Sequence, residues 1–423
     1  MINVTHYSGD KFGGAGIAAI RIHNALKRRI GDNINSSLVV PEKYSDDSTV
    51  AEVNTGTNNK IRAIINPYFD MLPMKLSKLR HTMPQSVAWT SSLKARRINS
   101  TPSDIAHLHW INSSFLSIEE IGRITKPIVW TMHDMWAFCG TEHISDDTAN
   151  SRWKTGYGKS SNIDGFDVDR WVWRRKLKNW KESMYIVTPS RWLYDCVLQS
   201  ALMRNFTAQV IPNPLDVNVY KPISKTVARQ LHNLPFDRKL ILFGAIKGTQ
   251  LTHKGWDLLM PALAEVANRC KQVDVVVFGQ GRPANPPKLP MKIHWMGHLR
   301  DDVALSALYS AADLLVVPSR IESFCQTASE AQACGCPVVS FNSTGLKDVV
   351  EDGLTGIRIS NFNSNELFRG IMEVLGNPQL MHSMGVNARE RATRLWSYDV
   401  VSKMYAELYK NVLDGYQGRQ KHE

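Results

Sequence analysis

Residues 318–340 read PSRIESFCQTASEAQACGCPVVS, and the punctuation of that string decides the fold. It is preceded by Asp313-Leu-Leu-Val-Val317, one polar residue and then four branched apolar ones, the pattern of a buried strand. Pro318 and Ser319 end that strand. From about Phe324 to Cys334 the pattern becomes helical, with Ala328, Ala331 and Gln332 recurring at turn spacing, and Gly335 stops the helix. Val338-Val-Ser-Phe341 then opens a second strand. Strand, loop, helix and strand make the unit from which a parallel sheet is built.

Two carboxylates sit eight residues apart in this unit, Glu322 in the loop and Glu330 in the helix. Eight residues is a little over two helical turns, so they share a face only if the first turn is unwound. The backbone N–H groups of Phe324, Cys325, Gln326 and Thr327 would point unpaired out of the helix start, a place that favours a phosphate. Glu330, two turns on, is placed to accept hydrogen bonds from a ribose diol, and Glu322 to reach a sugar hydroxyl. Two glutamates alone would read equally well as ordinary surface residues. The Pro-Ser turn before them and the Ala-Cys-Gly-Cys-Pro-Val-Val exit after them favour a site.

The unit resembles the signature of the retaining family-4 glycosyltransferases of the GT-B fold, usually E-G-F-G-x-x-x-x-E-A-x-A-x-G-x-P-V-V, over about twenty positions. Ser323 and Cys325 stand where that family usually has glycines. A side chain at Cys325 would crowd a pyrophosphate, although only backbone N–H groups are needed there. The resemblance extends to bacterial transferases that build colanic acid, O-antigen and exopolysaccharide. It implies two Rossmann-like, doubly wound α/β domains facing each other across a cleft.

Length and composition fit that expectation. The chain has 423 residues, 43% hydrophobic and 21% charged, enough for two domains that each bury a core. We expect an N-terminal, acceptor-side domain over 1–215 and a C-terminal, nucleotide-sugar domain over 216–396, with a last helix over 397–423 crossing back to the first. No apolar run approaches the eighteen or so residues that span a bilayer, and Met1-Ile-Asn-Val-Thr-His6 has no leader pattern, so a cytoplasmic protein is expected. Six cysteines fit no metal spacing. The net charge of +12 is uneven: residues 1–215 hold 27 Lys and Arg against 19 Asp and Glu. Residues 60–97 alone carry eight basic side chains and one acid, Asp70. No nucleic-acid motif accompanies them, so an anionic membrane surface is the expected partner. Ile61, Ile64, Ile65, Tyr68, Leu72, Met74, Leu76 and Leu79 would form helical stretches broken by Pro67 and Pro73. Beside Lys75, Lys78 and Arg80 such a face suits an interfacial helix, and equally a packed helix pair.

The remaining candidates come in chain order. After the first strand, Gly13 and Gly14 lie in a glycine-rich turn that lets backbone approach a phosphate. A tight structural turn reads as well, and the resemblance places the family's donor-phosphate loop there. Asp104–Trp110 and Pro127–Trp136 are strands, with His109 and His133 at their carboxyl ends, where ligand groups gather in parallel sheets. Alone, either histidine would suit a structural role. The resemblance of His133-Asp134-Met-Trp136 to the family's sugar-contacting position raises His133, with His109 and Asp134 on the acceptor or sugar side. Residues 137–183 form a long, irregular, polar stretch without the cysteine pairs of similar transferases. Family members carry Arg and Lys in the loop after the first strand of the second domain. Here Ala245 takes the arginine position and Lys254 is retained, with Lys247 an alternative.

The resemblance therefore implies transfer of a hexose, with retention, from a nucleotide diphosphate sugar to a glycan or lipid-linked acceptor of a bacterial surface polysaccharide such as lipopolysaccharide. Lys254, the Gly13–Gly14 turn and the helix start would carry the diphosphate, Glu330 the ribose, and Glu322 and His133 the sugar. No paired carboxylates stand at glycosidase spacing and no acidic metal cluster is evident. We expect no metal requirement, and no cofactor beyond the co-substrate. A nucleotide-sugar epimerase on the same fold and a non-catalytic assembly scaffold are the alternatives.

Overall fold

The computed structural model describes every residue except 11–12, 30–32, 44–45, 54–56, 80–82, 160–164, 182, 245, 247 and 421–423. The chain divides into two units, Met1–Pro214 with Val401–Glu423, and Leu215–Val400. Each contains one parallel sheet.

The first unit's strands are β1 (Ile2–Tyr7), β2 (Ile34–Val40), β3 (Val50–Glu52), β4 (Ile105–Leu108), β5 (Ile128–Thr131), β6 (Tyr185–Thr188) and β7 (Thr207–Val210), ordered β3-β2-β1-β4-β5-β6-β7. The order reverses between β1 and β4, whose register pairs His6 with His107. The last helix, Tyr398–Gln420, buries Val401, Tyr405, Leu408, Tyr409 and Val412 against Val4, Ile22, Ile105, Val129 and Val187 of this unit.

The second unit's strands are β8 (Lys239–Gly244), β9 (Val273–Phe278), β10 (Ile293–Trp295), β11 (Leu314–Val317), β12 (Val338–Phe341) and β13 (Gly356–Ile359), ordered β10-β9-β8-β11-β12-β13. Every residue of β9, β11 and β12 is buried, because helices cover both faces of the sheet. That is why these strands read as unbroken apolar runs. The order reverses between β8 and β11. Loops leaving adjacent strands in opposite directions open a crevice at the carboxyl edge there. Both units are thus Rossmann-like, parallel α/β layers.

Three local expectations are corrected. The helix after β11 spans Gln326–Ala333 and starts two residues later than the apolar spacing predicts, because Cys325 adopts a left-handed conformation (φ 82°) that no helix continues. Pro67 does not break its helix, which runs Thr57–Asp70. The Asp70 carboxylate near that helix's end accepts from the backbone N–H groups of Ala88, Trp89 and Thr90, holding the last turn in place. Residues 137–183 are not irregular throughout. They contain helices Arg152–Thr155 and Val168–Asn179, with Trp153 and Trp180 buried in the unit's core. Among the described residues, no helix is long and apolar enough to cross a membrane.

Candidate functional site

In the second unit, two loops close on each other at the reversal between β8 and β11. The first carries a single 3-10 turn, Thr252–Lys254, ended by Gly255 at φ 71°. A Cβ on Gly255 would lie 1.8 Å from the Pro318 carbonyl oxygen, so this position needs glycine for both conformation and space. The second loop follows β11. Arg320 zips the two: its backbone N–H donates to the His253 carbonyl at 2.8 Å, and its guanidinium donates to the Thr252 carbonyl and to both oxygens of Asp257. This clamp brings the Lys254 ammonium to 2.6 Å from Glu322 Oε1. The side chains retain 23% and 13% of their exposure, so the pair is largely shielded yet open on one side. Burial lowers the proton affinity of Lys254, but the Glu322 carboxylate outweighs it and holds the ammonium above its ordinary value.

Glu322 is itself fixed through its backbone. Its N–H donates to Thr344 Oγ1 and its carbonyl accepts from the Gly345 N–H, both at 2.9 Å. A Cβ on Gly345 would meet the Ser323 carbonyl at 2.4 Å, so this close approach also requires glycine. Past Glu322, Phe324 is buried edge-on against Trp396, and the buried Cys325 precedes the helix. Burial pushes the Cys325 thiol up to about 12, so it is no nucleophile at neutral pH. Glu330, one side of which accepts a 2.7 Å bond from the Tyr309 hydroxyl, is buried on the helix. An open hollow of about 980 Å³, lined by Arg229, Arg238, Asp274, Lys292 and His294 among others, lies toward the opposite end of the sheet, where strands begin. Its Asp274 is already shared by Arg238 and His294 at 2.7 and 2.8 Å.

The first unit has its own cluster at the reversal between β1 and β4. Three imidazoles form a row: His6 Nδ1 lies 3.0 Å from His109 Nε2, and His109 Nδ1 lies 3.2 Å from His133 Nε2. His6 and His109 are buried, and His133 is part-exposed. Burial lowers all three, His133 to about 4, so all are neutral at pH 7. His107 stacks on His109 with centroids 4.3 Å apart, and its nitrogens bond the Tyr409 and Thr131 hydroxyls. His6, His107 and His109 are close enough to suggest a metal site. His6 Nδ1 and His109 Nε2 are already within hydrogen-bond distance of each other, and both nitrogens of His107 are bonded to hydroxyls, so His107 would have to release one first. The donor set fits a hydrogen-bonded array better than a tetrahedral ion.

Beyond β5, the loop carrying His133 is pinned from beneath. Asp134 Oδ2 bonds His143 Nδ1 at 2.6 Å, His143 Nε2 bonds Ser86 Oγ at 2.8 Å, and Asp134 Oδ1 accepts from the Trp136 N–H. Burial would raise Asp134, but His143 and that N–H hold it below the usual carboxylate range. Lys176 is fully buried and donates to the carbonyls of Trp136, Cys139 and Gly140, with its ammonium 3.7 Å from the centroid of the Trp136 ring. Burial pulls Lys176 down to about 7.

Residues 225–391 match the protein family described as glycosyl transferases group 1. They form a glycosyl transferases group 1 domain. The group 1 domain holds the Lys254–Glu322 pair and Glu330. A D-inositol 3-phosphate glycosyltransferase of Segniliparus rotundus is 30% identical over 218 residues, 49% of this chain and 47% of that protein. The chain spans about half the length of the curated relatives that it matches first. Two solved structures resemble nearly the whole chain. Sucrose-phosphate synthase from Thermosynechococcus elongatus has a TM-score of 0.67 at 17% identity, covering 98% of this chain and 100% of that one. Anabaena HepE, in complex with UDP and glucose, has a TM-score of 0.66 at 16% identity, covering 97% and 100%. These show the fold, that of the GT-B glycosyltransferases.

Set against the sequence, Lys254 and Glu322 meet, although 68 positions separate them. Glu330 lies on the same loop–helix unit as Glu322, and Ser323, Phe324, Cys325, Gln326 and Thr327 connect them. Phe324 and Cys325 precede the first helical turn, so the helix start is Gln326 and Thr327. Lys247 and Ala245 lie outside the described residues. In the first unit the structure sets three constraints on the expected residues. His109 is buried behind His133 and has no access to a ligand. Asp134 is committed to His143 and Trp136 rather than to an acceptor. The Gly13 and Gly16 N–H groups already donate to the Asp10 carboxylate, so a phosphate there must displace it. The recurrence of Val168, Val172 and Lys176 every four residues is the sequence signal that places Lys176 on the buried face of its helix. His6 and Arg320 carried no local signal.

Proposed function

We propose that this protein is a retaining glycosyltransferase that moves a hexose from a nucleotide diphosphate sugar to a glycan or lipid-linked acceptor in bacterial surface polysaccharide synthesis. The observation that carries the reading is the Lys254–Glu322 pair at the sheet reversal of the group 1 domain. An ammonium held charged at the carboxyl edge of a parallel sheet, beside a helix start, suits a diphosphate leaving group. On donor binding the ammonium turns from Glu322 to the diphosphate. Glu322 is then released toward the sugar, where its charge opposes the positive charge that develops at the anomeric carbon. Glu330, oriented by Tyr309, takes ribose hydroxyls, and His133 holds the sugar. The leaving phosphate takes the acceptor proton, so no protein nucleophile is required. The reaction runs without a cofactor or divalent metal, with the cationic Lys254 and the Gln326–Thr327 helix start supporting the diphosphate.

The protein works in the cytoplasm at an anionic membrane surface. The support is the helix Thr57–Asp70 and the segment after it. Ile64, Tyr68 and Leu76 are 67%, 76% and 72% exposed, and Lys75 and Lys78, which flank Leu76 in sequence, are exposed too. Exposed apolar groups flanked by lysines suit the boundary between headgroups and acyl chains. Arg80 lies outside the described residues.

The test is a panel of nucleotide sugars screened by thermal shift, followed by turnover with lipid-linked acceptors in EDTA. Transfer with retained configuration is expected. A new nucleotide sugar formed from donor alone would identify an epimerase, and the absence of any donor binding would identify a scaffold. Either would overturn the proposal.

A further inference from the structure

A neutral imidazole carries one N–H and one lone pair, so a row of hydrogen-bonded imidazoles has only two internally consistent arrangements. In one, each ring donates inward: His133 Nε2–H to His109 Nδ1, then His109 Nε2–H to His6 Nδ1. That leaves an N–H on His6 Nε2. In the other, each ring donates outward: His6 Nδ1–H to His109 Nε2, then His109 Nδ1–H to His133 Nε2. That leaves a bare lone pair on His6 Nε2 and puts the remaining proton of His133 on Nδ1. His6 Nε2 is buried with no hydrogen-bond partner among the described residues. It therefore decides between the two. A buried N–H without an acceptor is rarer in native proteins than a buried acceptor without a donor, so the outward arrangement prevails. His107 does not oppose it, because its partners are hydroxyls that rotate to suit either tautomer.

We propose that His6 and His109 are positioning residues that lock His133 as its Nδ1–H tautomer. His133 Nδ1 has no hydrogen-bond partner among the described residues, and the ring is part-exposed. The locked ring therefore presents a neutral N–H donor to a ligand. It selects an acceptor oxygen and cannot accept a proton from the ligand at that nitrogen. Where the ligand is a nucleotide sugar, which rests on the function proposed above, that oxygen belongs to a sugar hydroxyl or to a phosphate. The depressed proton affinities of all three rings support the arrangement, because they keep the row uncharged at neutral pH.

Nitrogen-15 NMR of the full chain, labelled at histidine and without ligand, tests this. Loss of signals in His133→Asn assigns the ring. The expected result is a protonated, pyrrole-type Nδ1 and a pyridine-type Nε2 on His133 at pH 7. The opposite pattern, or an equal mixture, overturns the proposal without any variant being needed. His6→Asn places an amide N–H where Nδ1–H stood and should keep the wild-type pattern. His6→Phe removes the donor and should convert His133 to a mixture of tautomers. An unchanged His133 in a folded His6→Phe protein would mean that the row does not set it, and overturns the proposal. These spectra need no substrate, so they stand or fall apart from the activity.

Discussion

Breaking the Lys254–Glu322 pair from one side and from both gives the sharpest test of the second unit. Removing one partner of a buried ion pair leaves an uncompensated charge and costs about 3–5 kcal/mol. The two side chains retain 23% and 13% of their exposure, so water relieves part of that charge. We therefore expect Lys254→Met and Glu322→Gln each to destabilise the second unit by about 1–3 kcal/mol. The double variant should cost less than the sum by a similar amount, since neither charge is then stranded. Scanning calorimetry of the full chain reads this as a shift in the transition of one unit, with the other as internal control. Donor titration provides the functional arm. Glu322→Gln frees the ammonium and should leave diphosphate affinity equal or tighter while turnover falls, whereas Lys254→Met should lower both. Single-variant effects that add to within about 0.5 kcal/mol would refute the coupling. Weaker donor binding in Glu322→Gln would refute the exchange of Lys254 from carboxylate to diphosphate.

Further outcomes follow from other sites. Glu330→Ala should weaken donor binding by about 1.5–3 kcal/mol per lost charged hydrogen bond, and Tyr309→Phe, which removes only the 2.7 Å bond that orients Glu330, should weaken it less; calorimetric titration ranks them, and a silent Glu330→Ala would remove the ribose role. Lys176→Met should destabilise the first unit by several kcal/mol, because three buried carbonyls lose their donor at roughly 1–3 kcal/mol each. Because the folded value of Lys176, about 7, lies below the unfolded 10.5, the unfolded chain binds the proton more tightly between them. First-unit stability should therefore rise as pH increases from about 7 toward 10, and Lys176→Met should flatten that rise in urea titrations at several pH values. Lys75→Glu with Lys78→Glu should abolish flotation with anionic vesicles at low salt and leave donor binding intact, since each basic residue near such a surface contributes about 1 kcal/mol; equal binding to neutral vesicles would refute the electrostatic part.

What the sequence determined by itself is local. The alternation of apolar runs and helical periods follows from parallel strands covered on both faces, so Val273–Phe278 and Leu314–Val317 announce themselves without any partner in view. The spacing of Glu322 and Glu330 needs only one strand, one loop and one helix. The tertiary structure decided everything that depends on strand order. Lys254 reaches Glu322 because β8 and β11 are neighbours with their loops running opposite ways, and no local pattern encodes that adjacency. His6, His109 and His133 form a row because β1, β4 and β5 lie side by side. Periodicity treats each histidine as an isolated residue at a strand end, and only the fold shows that His109 is buried against His133. Cys325 shows the same limit in the backbone. Its spacing suits a helix, yet it stands at a positive φ in a loop whose Glu322 carbonyl accepts from the Gly345 N–H of the loop that follows the neighbouring strand β12. Local propensity sets the elements, and burial with strand adjacency sets which side chains touch.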